Sequence, residues 1–168
     1  MVKDTIPVYT RPFRLSPEEQ GEVDVQVEDW LRRGIIRKSR SEYSSPVVVA
    51  RKHDGSPRVC INFKKLNNKV EKQHFPAPLI EDVLDDLAEA TVFCTIDMRD
   101  RFFHVEVDEE SKKFLSFITP TGQLEFKFVP FGFCNSPPVF SEFVAYVFRP
   151  FIQAKKMRIY TDDGIIMA

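Results

Sequence analysis

The sequence predicts an α+β fold. Three observations lead there. Helical stretches and short apolar stretches of strand length follow one another without a regular strand–helix–strand alternation. "HDGS" and "TPTGQ" carry turn chemistry between apolar flanks, as hairpins do. A hydrophobic share of 43 % with 29 % charged residues over 168 positions suits one domain, or two small lobes sharing a core.

The first helix is predicted in "RLSPEEQGEVDVQVEDWLRRGIIRKS". Ser16 is a good N-cap, Pro17 fits the first helical position and Glu19 completes a capping box. Val23, Val27, Trp30 and Leu31 fall on one face. Arg32 and Arg33 suit the negative end, and Gly34 can close it in the left-handed conformation. "PVVVA" and "RVCINF" read as strands joined by "HDGS". In "PAPLIEDVLDDLAEA", Ile80, Val83, Leu84 and Leu87 have helical spacing. "TVFCTID" is an apolar run that should be a central strand ending at Asp97, and two strands surround "TPTGQ". "SPPVFSEFVAYVFRPFI" is predicted as one helix with Phe140, Phe143, Val144 and Val147 inward. "MRIY" then runs as a strand into two adjacent acids, with "GIIMA" as its hairpin partner. There is no internal repeat, low-complexity tract or linker.

Phe is unusually frequent at 16, so much of the core should be aromatic. A formal net charge of −1 excludes a polycation, and any nucleic-acid surface has to arise by segregating charge. Cys60, Cys94 and Cys134 lie far apart with no CxxC pair, which is neither a disulfide framework nor a zinc pattern. They read as three buried thiols of a reducing compartment. No signal pattern and no stretch approaching ~20 apolar residues is present, so the expectation is a soluble intracellular protein with no membrane partner.

Charge is indeed sorted along the chain. Residues 51–72 carry Arg51, Lys52, Arg58, Lys64, Lys65, Lys69 and Lys72 against Asp54 and Glu71. Residues 81–110 carry Glu81, Asp82, Asp85, Asp86, Glu89, Asp97, Asp100, Glu106, Asp108, Glu109 and Glu110 against Arg99 and Arg101. One lobe can hold phosphates and the other cations; two solvated faces are the plainer alternative.

Asp162 and Asp163 stand side by side, where they repel. Asp also favours turns for structural reasons, because its side chain bonds nearby backbone. Asp97 changes the weighing. If its strand lies beside the hairpin, three carboxylates converge, and they cannot all ionise cheaply without a cation. Oxygen-only ligands select hard ions, so Mg2+ is the expected cofactor, with Mn2+ as a substitute. Two such ions about 3.5–4 Å apart can clamp the attacking and leaving oxygens of a phosphoryl displacement.

"YTDD" resembles the YxDD box of reverse transcriptases. "YTRPFRLSPEE", "GIIRKSRSEYSSPVVVA", "VVVARKHDGSPRVCINFKKLN", "PLIEDVLDDLAEATVFCTIDM" and "TPTGQLEFKFVPFGFCNSPPVF" resemble the ordered motifs of the gypsy-type LTR retrotransposon enzymes. The likeness runs from Val8 to Ala168. It implies a right-hand polymerase with fingers at about 8–76 and 103–131, a palm at about 77–102 and 132–168, and an antiparallel palm sheet backed by helices, with the thumb expected to be absent here. It implies RNA-directed DNA synthesis: two-metal nucleotidyl transfer of dNTPs onto a primer 3′-hydroxyl along an RNA or DNA template.

Carried over residue by residue, the resemblance makes Asp97, Asp162 and Asp163 the catalytic metal ligands. Lys52 and Arg58 match positions that grip the incoming triphosphate, Met98 offers its backbone amide, and Phe102 matches the bulky gate beneath the sugar. Phe131 in "VPFGF" matches the residue closing over the nucleotide, and Tyr160 supports the primer end. Two departures stand out near the site. Arg101, in "RDRFF", replaces a residue that is commonly small, and Pro138 replaces a common Ala or Thr at a tolerant helix start. The family continues into a thumb, connection and RNase H, expected here as missing parts of a larger polyprotein acting in the cytoplasm or a virus-like particle, or in the nucleus. The alternative expectation is a truncated, catalytically inactive remnant that binds nucleic acid or a protein partner.

Overall fold

A computed structural model describes residues 6–76, 80–88, 90–160 and 163–167, and only the backbone of Ile80, Asp82 and Asp86. Asp162, Thr161, Ala168, Glu89 and residues 77–79 lie outside the described residues. The chain divides into two units, Met1–Lys72 with Glu106–Cys134, and Gln73–Val105 with Asn135–Ala168.

The first unit is built on helix α1 (Pro17–Arg32) and a five-stranded sheet. Its strands are β1 (Ile36–Lys38), β2 (Ser45–Arg51), β3 (Pro57–Ile61), β5 (Ser116–Thr119) and β6 (Gly122–Phe126), in the order β1-β6-β5-β2-β3. Short helices α2 (Lys64–Asn67) and α4 (Glu109–Lys112) complete it. The capping box closes in both directions. The Ser16 amide donates to Glu19 Oε2 at 2.8 Å, and the Glu19 amide donates to Ser16 Oγ at 3.3 Å. These bonds hold the Glu19 carboxyl below its ordinary pKa. Gly34, at φ +69°, ends the helix. Val23 and Trp30 carry the buried stripe of α1, and Trp30 meets Phe126 edge-on at 5.4 Å and Phe117 at 6.4 Å. Leu31 does not join them: it is 42 % exposed, at the rim of that stripe. β2 and β5 pair in parallel at Ser45–Phe117 and Pro46–Ile118, while every other pairing in the sheet is antiparallel.

The second unit holds α3 (Ile80–Ala88), α5 (Ser136–Val147), α6 (Arg149–Gln153) and a three-stranded antiparallel sheet. The sheet order is β4-β8-β7, with β4 at Phe93–Asp97, β7 at Met157–Tyr160 and β8 at Asp163–Met167. β4 is therefore an edge strand among the described residues, not the central one, and Phe93, Cys94 and Thr95 are exposed. A short apolar run does not say which position in a sheet it takes; the hairpin strand β8 takes the middle.

The single helix expected over 136–152 is two. α5 ends at Val147, and α6 restarts through Phe148 with Pro150 in its first turn. Phe140 and Val144 are buried as predicted, Phe143 is half-buried, and Val147 is 45 % exposed. The free cysteines are also more open than expected: Cys94 is exposed, and Cys60 and Cys134 are half-buried. No helix among the described residues is long and apolar enough to cross a membrane.

Candidate active site

In the second unit, the register of β4 against β8 sets Asp97 directly opposite Asp163. The register of β7 against β8 sets Tyr160 on the other side of Asp163. Directly opposed residues of antiparallel strands share a face, with Cβ atoms about 4.5–5.5 Å apart. Two exposed acids and a half-exposed tyrosine therefore stand in a row at one end of the sheet. Opposed like charges destabilise a strand pair, and a cation between them would reverse that.

One step inward, Gly164 faces Ile96 and Ile159 in register. A Cβ on Gly164 would lie 2.7 Å from Ile96 Cγ1 and 3.1 Å from Met157 Cε. The three strands can close at this level because the residue after the acid has no side chain.

After Asp97 the chain turns sharply. Met98 is half-buried, and Asp100 takes the left-handed conformation at φ 52°, a region Asp tolerates better than most residues. A 3-10 turn follows over Arg101–His104, closed by the Phe103 amide donating to Asp100 O at 2.8 Å. His104 Nε2 lies 3.0 Å from Arg99 O. Phe102 is 4 % exposed; its ring meets Phe140 edge-on at 5.7 Å, and the Arg101 guanidinium carbon lies 4.6 Å from its centre. The residue matched to a sugar gate is thus a covered ring.

In the first unit, the β2–β3 register places Arg58 opposite Ala50. The ladder continues to Lys52, whose amide donates to Ser56 O at 2.9 Å. Strand alternation then puts Lys52 and Arg58 on the same face of the hairpin, and both are exposed. The hairpin tip is fixed by Asp54, which accepts from the Ser56 hydroxyl at 2.6 Å and the Ser56 amide at 2.9 Å, holding its carboxyl below the ordinary range. Arg51 is committed elsewhere: it pairs with Glu22 at 2.6 Å and Glu18 at 3.5 Å, anchoring the turn end of the hairpin to α1. The Glu22 partnership raises the Arg51 pKa.

Phe131 lies under Arg58, with the guanidinium carbon 5.9 Å from the ring centre. Its loop is held by a residue that sequence reasoning missed. Asn67 Nδ2 donates to Gly132 O at 2.9 Å, and the Cys134 amide donates to Asn67 Oδ1 at 2.9 Å. Gly132 sits at φ +84°, with its Cβ position 3.3 Å from Ile61 O. The one available signal was an amide side chain directly after the buried Leu66 in "KKLN".

The predicted site residues therefore fall into two groups. Asp97, Met98, Phe102, Tyr160 and Asp163 belong to the second unit; Lys52, Arg58 and Phe131 belong to the first. The acidic run divides as well: Glu106, Asp108, Glu109 and Glu110 lie in the first unit, where Glu106 and Glu109 pair with Lys112. Among the described residues no three His, Cys, Asp or Glu side chains converge as a metal site; Asp162 lies outside them. The Asp97–Asp163 pair supplies hard carboxylate oxygens, a donor type that fits Mg2+ or Mn2+.

Known proteins resemble this chain closely. The family profile described as "Reverse transcriptase (RNA-dependent DNA polymerase)" matches residues 50–168. The Pol polyprotein of transposon 297 from Drosophila melanogaster is 35 % identical over 167 residues, covering 96 % of this chain and 16 % of the relative. That of transposon gypsy, from the same organism, is 34 % identical over 171 residues, covering 98 % of this chain and 16 % of the relative. The chain thus spans a small part of those polyproteins. A crystal structure of prototype foamy virus protease–reverse transcriptase superposes with a TM-score of 0.83 at 20 % identity, over 98 % of this chain and 22 % of that one. The foamy viral enzyme in complex with an RNA/DNA hybrid gives 0.81 at 20 % identity, over 99 % of this chain and 22 % of that one. The fold is that of a reverse transcriptase fingers-and-palm region. The chain belongs to the reverse transcriptase family.

Proposed function

We propose that this chain forms the fingers and palm of an RNA-directed DNA polymerase, which adds dNTPs to a primer 3′-hydroxyl along an RNA or DNA template. The observation that carries the reading is the Asp97–Asp163 register pair, in a member of this family. The unit Met1–Lys72 with Glu106–Cys134 is assigned to the fingers, and Gln73–Val105 with Asn135–Ala168 to the palm.

In the reaction the primer 3′-oxygen bonds to the α-phosphorus, and the bond from that phosphorus to the bridging oxygen breaks. Pyrophosphate leaves, and the hydroxyl proton passes to solvent. Asp97, Asp162 and Asp163 are the residues that would hold two Mg2+ ions, which when bound neutralise charge on the attacking and leaving oxygens. Lys52 and Arg58 offer fixed positive charge to the triphosphate. The Phe131 ring beneath Arg58 limits where that guanidinium can go. Met98 offers its amide to the phosphates, Phe102 faces the sugar, and Tyr160 supports the primer end beside Asp163. A thumb, connection and RNase H of a longer polyprotein would add phosphate contacts, and hence duplex affinity.

Primer extension on an RNA template tests this, with Mg2+ and with Mn2+, for the chain alone and joined to a thumb. The expected result is extension that falls roughly 100-fold or more in Asp97→Asn. Extension unchanged by that substitution overturns the reading. Retention of template-primer with no incorporation under either ion supports the inactive remnant instead, which the covered Phe102 ring favours.

A further inference from the structure

We propose that Arg101 is a displaceable cap on Phe102, and that it sets both the affinity and the sugar selectivity for the incoming nucleotide; this rests on the polymerase reading above. Phe102 lies in the 3-10 turn that begins four residues after Asp97, the last residue of β4. Two of the neighbours of its ring differ in character. Phe140, from α5, is 2 % exposed and sits edge-on in the core. Arg101 is half-buried, with its guanidinium 4.6 Å from the ring centre.

Only the second of these neighbours can move without opening the core. Close packing holds a buried aromatic ring in one rotamer, whereas an arginine side chain keeps several and retains its charge wherever it goes. A cation–π contact of this kind biases an equilibrium by about 2- to 30-fold. A nucleotide whose sugar comes against the ring must first displace the guanidinium, so its apparent affinity falls by at least the factor that this contact supplies.

The cap also changes what the sugar meets. A bare aromatic ring has no hydrogen-bond partner for a 2′-hydroxyl and excludes it by contact. A guanidinium brings five N–H donors and no acceptor. Beside the sugar it accommodates the 2′-oxygen as a hydrogen-bond acceptor. Discrimination between dNTP and rNTP is therefore weaker with arginine at 101 than with a small residue there.

The test compares the unsubstituted chain, Arg101→Ala and Arg101→Lys, each also carrying Asp97→Asn as a control. dTTP and UTP incorporation on a primed template gives kcat and KM, and titration of the same two nucleotides gives Kd. In Arg101→Ala, KM and Kd for dTTP should fall about 2- to 30-fold, with a larger effect on KM than on kcat. The dTTP-over-UTP preference should rise. Arg101→Lys should lie between, because an ammonium stacks less well than the planar guanidinium.

Weaker dTTP binding in Arg101→Ala would make Arg101 a phosphate ligand and overturn the cap; so would values equal to those of the unsubstituted chain. In either case, incorporation abolished by Asp97→Asn leaves the polymerase reading standing. Nucleotide bound without incorporation is judged on Kd by the same two outcomes. Absence of both binding and incorporation in every variant overturns the polymerase reading, and the cap with it.

Discussion

Gly164 on β8 lies directly opposite Ile96 on β4, one residue inward from the Asp97–Asp163 pair. The gap has no room for a methyl group, since a Cβ would meet Ile96 Cγ1 at 2.7 Å. Ile96 is β-branched and cannot swing that atom away cheaply. Gly164→Ala should therefore destabilise the chain by about 1–3 kcal/mol, as overpacking does. It should also weaken Mn2+ binding, because β8 must shift from β4 at the step beside the acids. Urea unfolding and Mn2+ titration check this. An unshifted unfolding midpoint would show that the strands do not close here.

Asn67 holds the Phe131 loop through two hydrogen bonds, one given and one received. Asn67→Ala leaves the exposed Gly132 carbonyl and the half-buried Cys134 amide without that partner, at a cost of about 0.5–1.5 kcal/mol for each bond lost. The amide of Cys134 should exchange with solvent faster, while amides of β5 and β6 keep their protection. Hydrogen exchange by NMR distinguishes these sites. Unchanged exchange at Cys134 would mean the loop is held by other means.

On α5, Phe140 is 2 % exposed and Val147 is 45 % exposed, although the spacing placed both inward. Phe140→Ala should cost about 3–5 kcal/mol, and it removes the edge contact to Phe102. Val147→Ala should stay within about 0.5 kcal/mol. Thermal or urea unfolding of the pair decides which side of α5 is the core.

These cases show what could be read from the sequence and what could not. The α1 cap, the β2–β3 hairpin and the β7–β8 hairpin rest on neighbours within a few residues, where spacing and turn chemistry act directly. β1 is only three residues long and pairs with β6, almost ninety residues away, so no local signal marks it. The parallel contact of β2 with β5 and the edge position of β4 are likewise decided by partners distant in sequence. The break at Phe148 had a visible sign in Pro150, but a proline near a helix end reads equally as a first turn or an interior kink. At the candidate site, the juxtaposition of Asp97 with Asp163 was legible because a strand ending in one acid and a hairpin carrying the other are both marked locally. Asn67 was not, because its partners are backbone atoms of a loop sixty-five residues away.

The ion network of the first unit predicts a pH response. Lys112, 4 % exposed, donates to Glu109 Oε2 at 2.9 Å and Glu106 Oε1 at 3.2 Å. Arg37 donates to Glu109 and, at 2.8 Å, to Glu125, which also accepts from Ser39 Oγ at 2.5 Å. Arg37 first and Lys112 second hold the Glu109 carboxyl at about 2, against an ordinary 4.5. A lowered carboxyl pKa adds stability that is complete above about pH 4.5 and is lost as pH falls toward about 2, since the unfolded chain takes up the proton first. Glu109 is exposed, so solvent and salt screen the effect. Melting temperature should fall between pH 5 and pH 2, more steeply in low salt. Glu109→Gln should lower stability at pH 7 and flatten the profile in that window. Lys112 has its pKa raised by the same pairing, so its share persists through neutral pH and is lost only as the solution turns strongly basic. A Glu109→Gln profile parallel to that of the unsubstituted chain from pH 5 to pH 2 would remove Glu109 from the account of acid sensitivity.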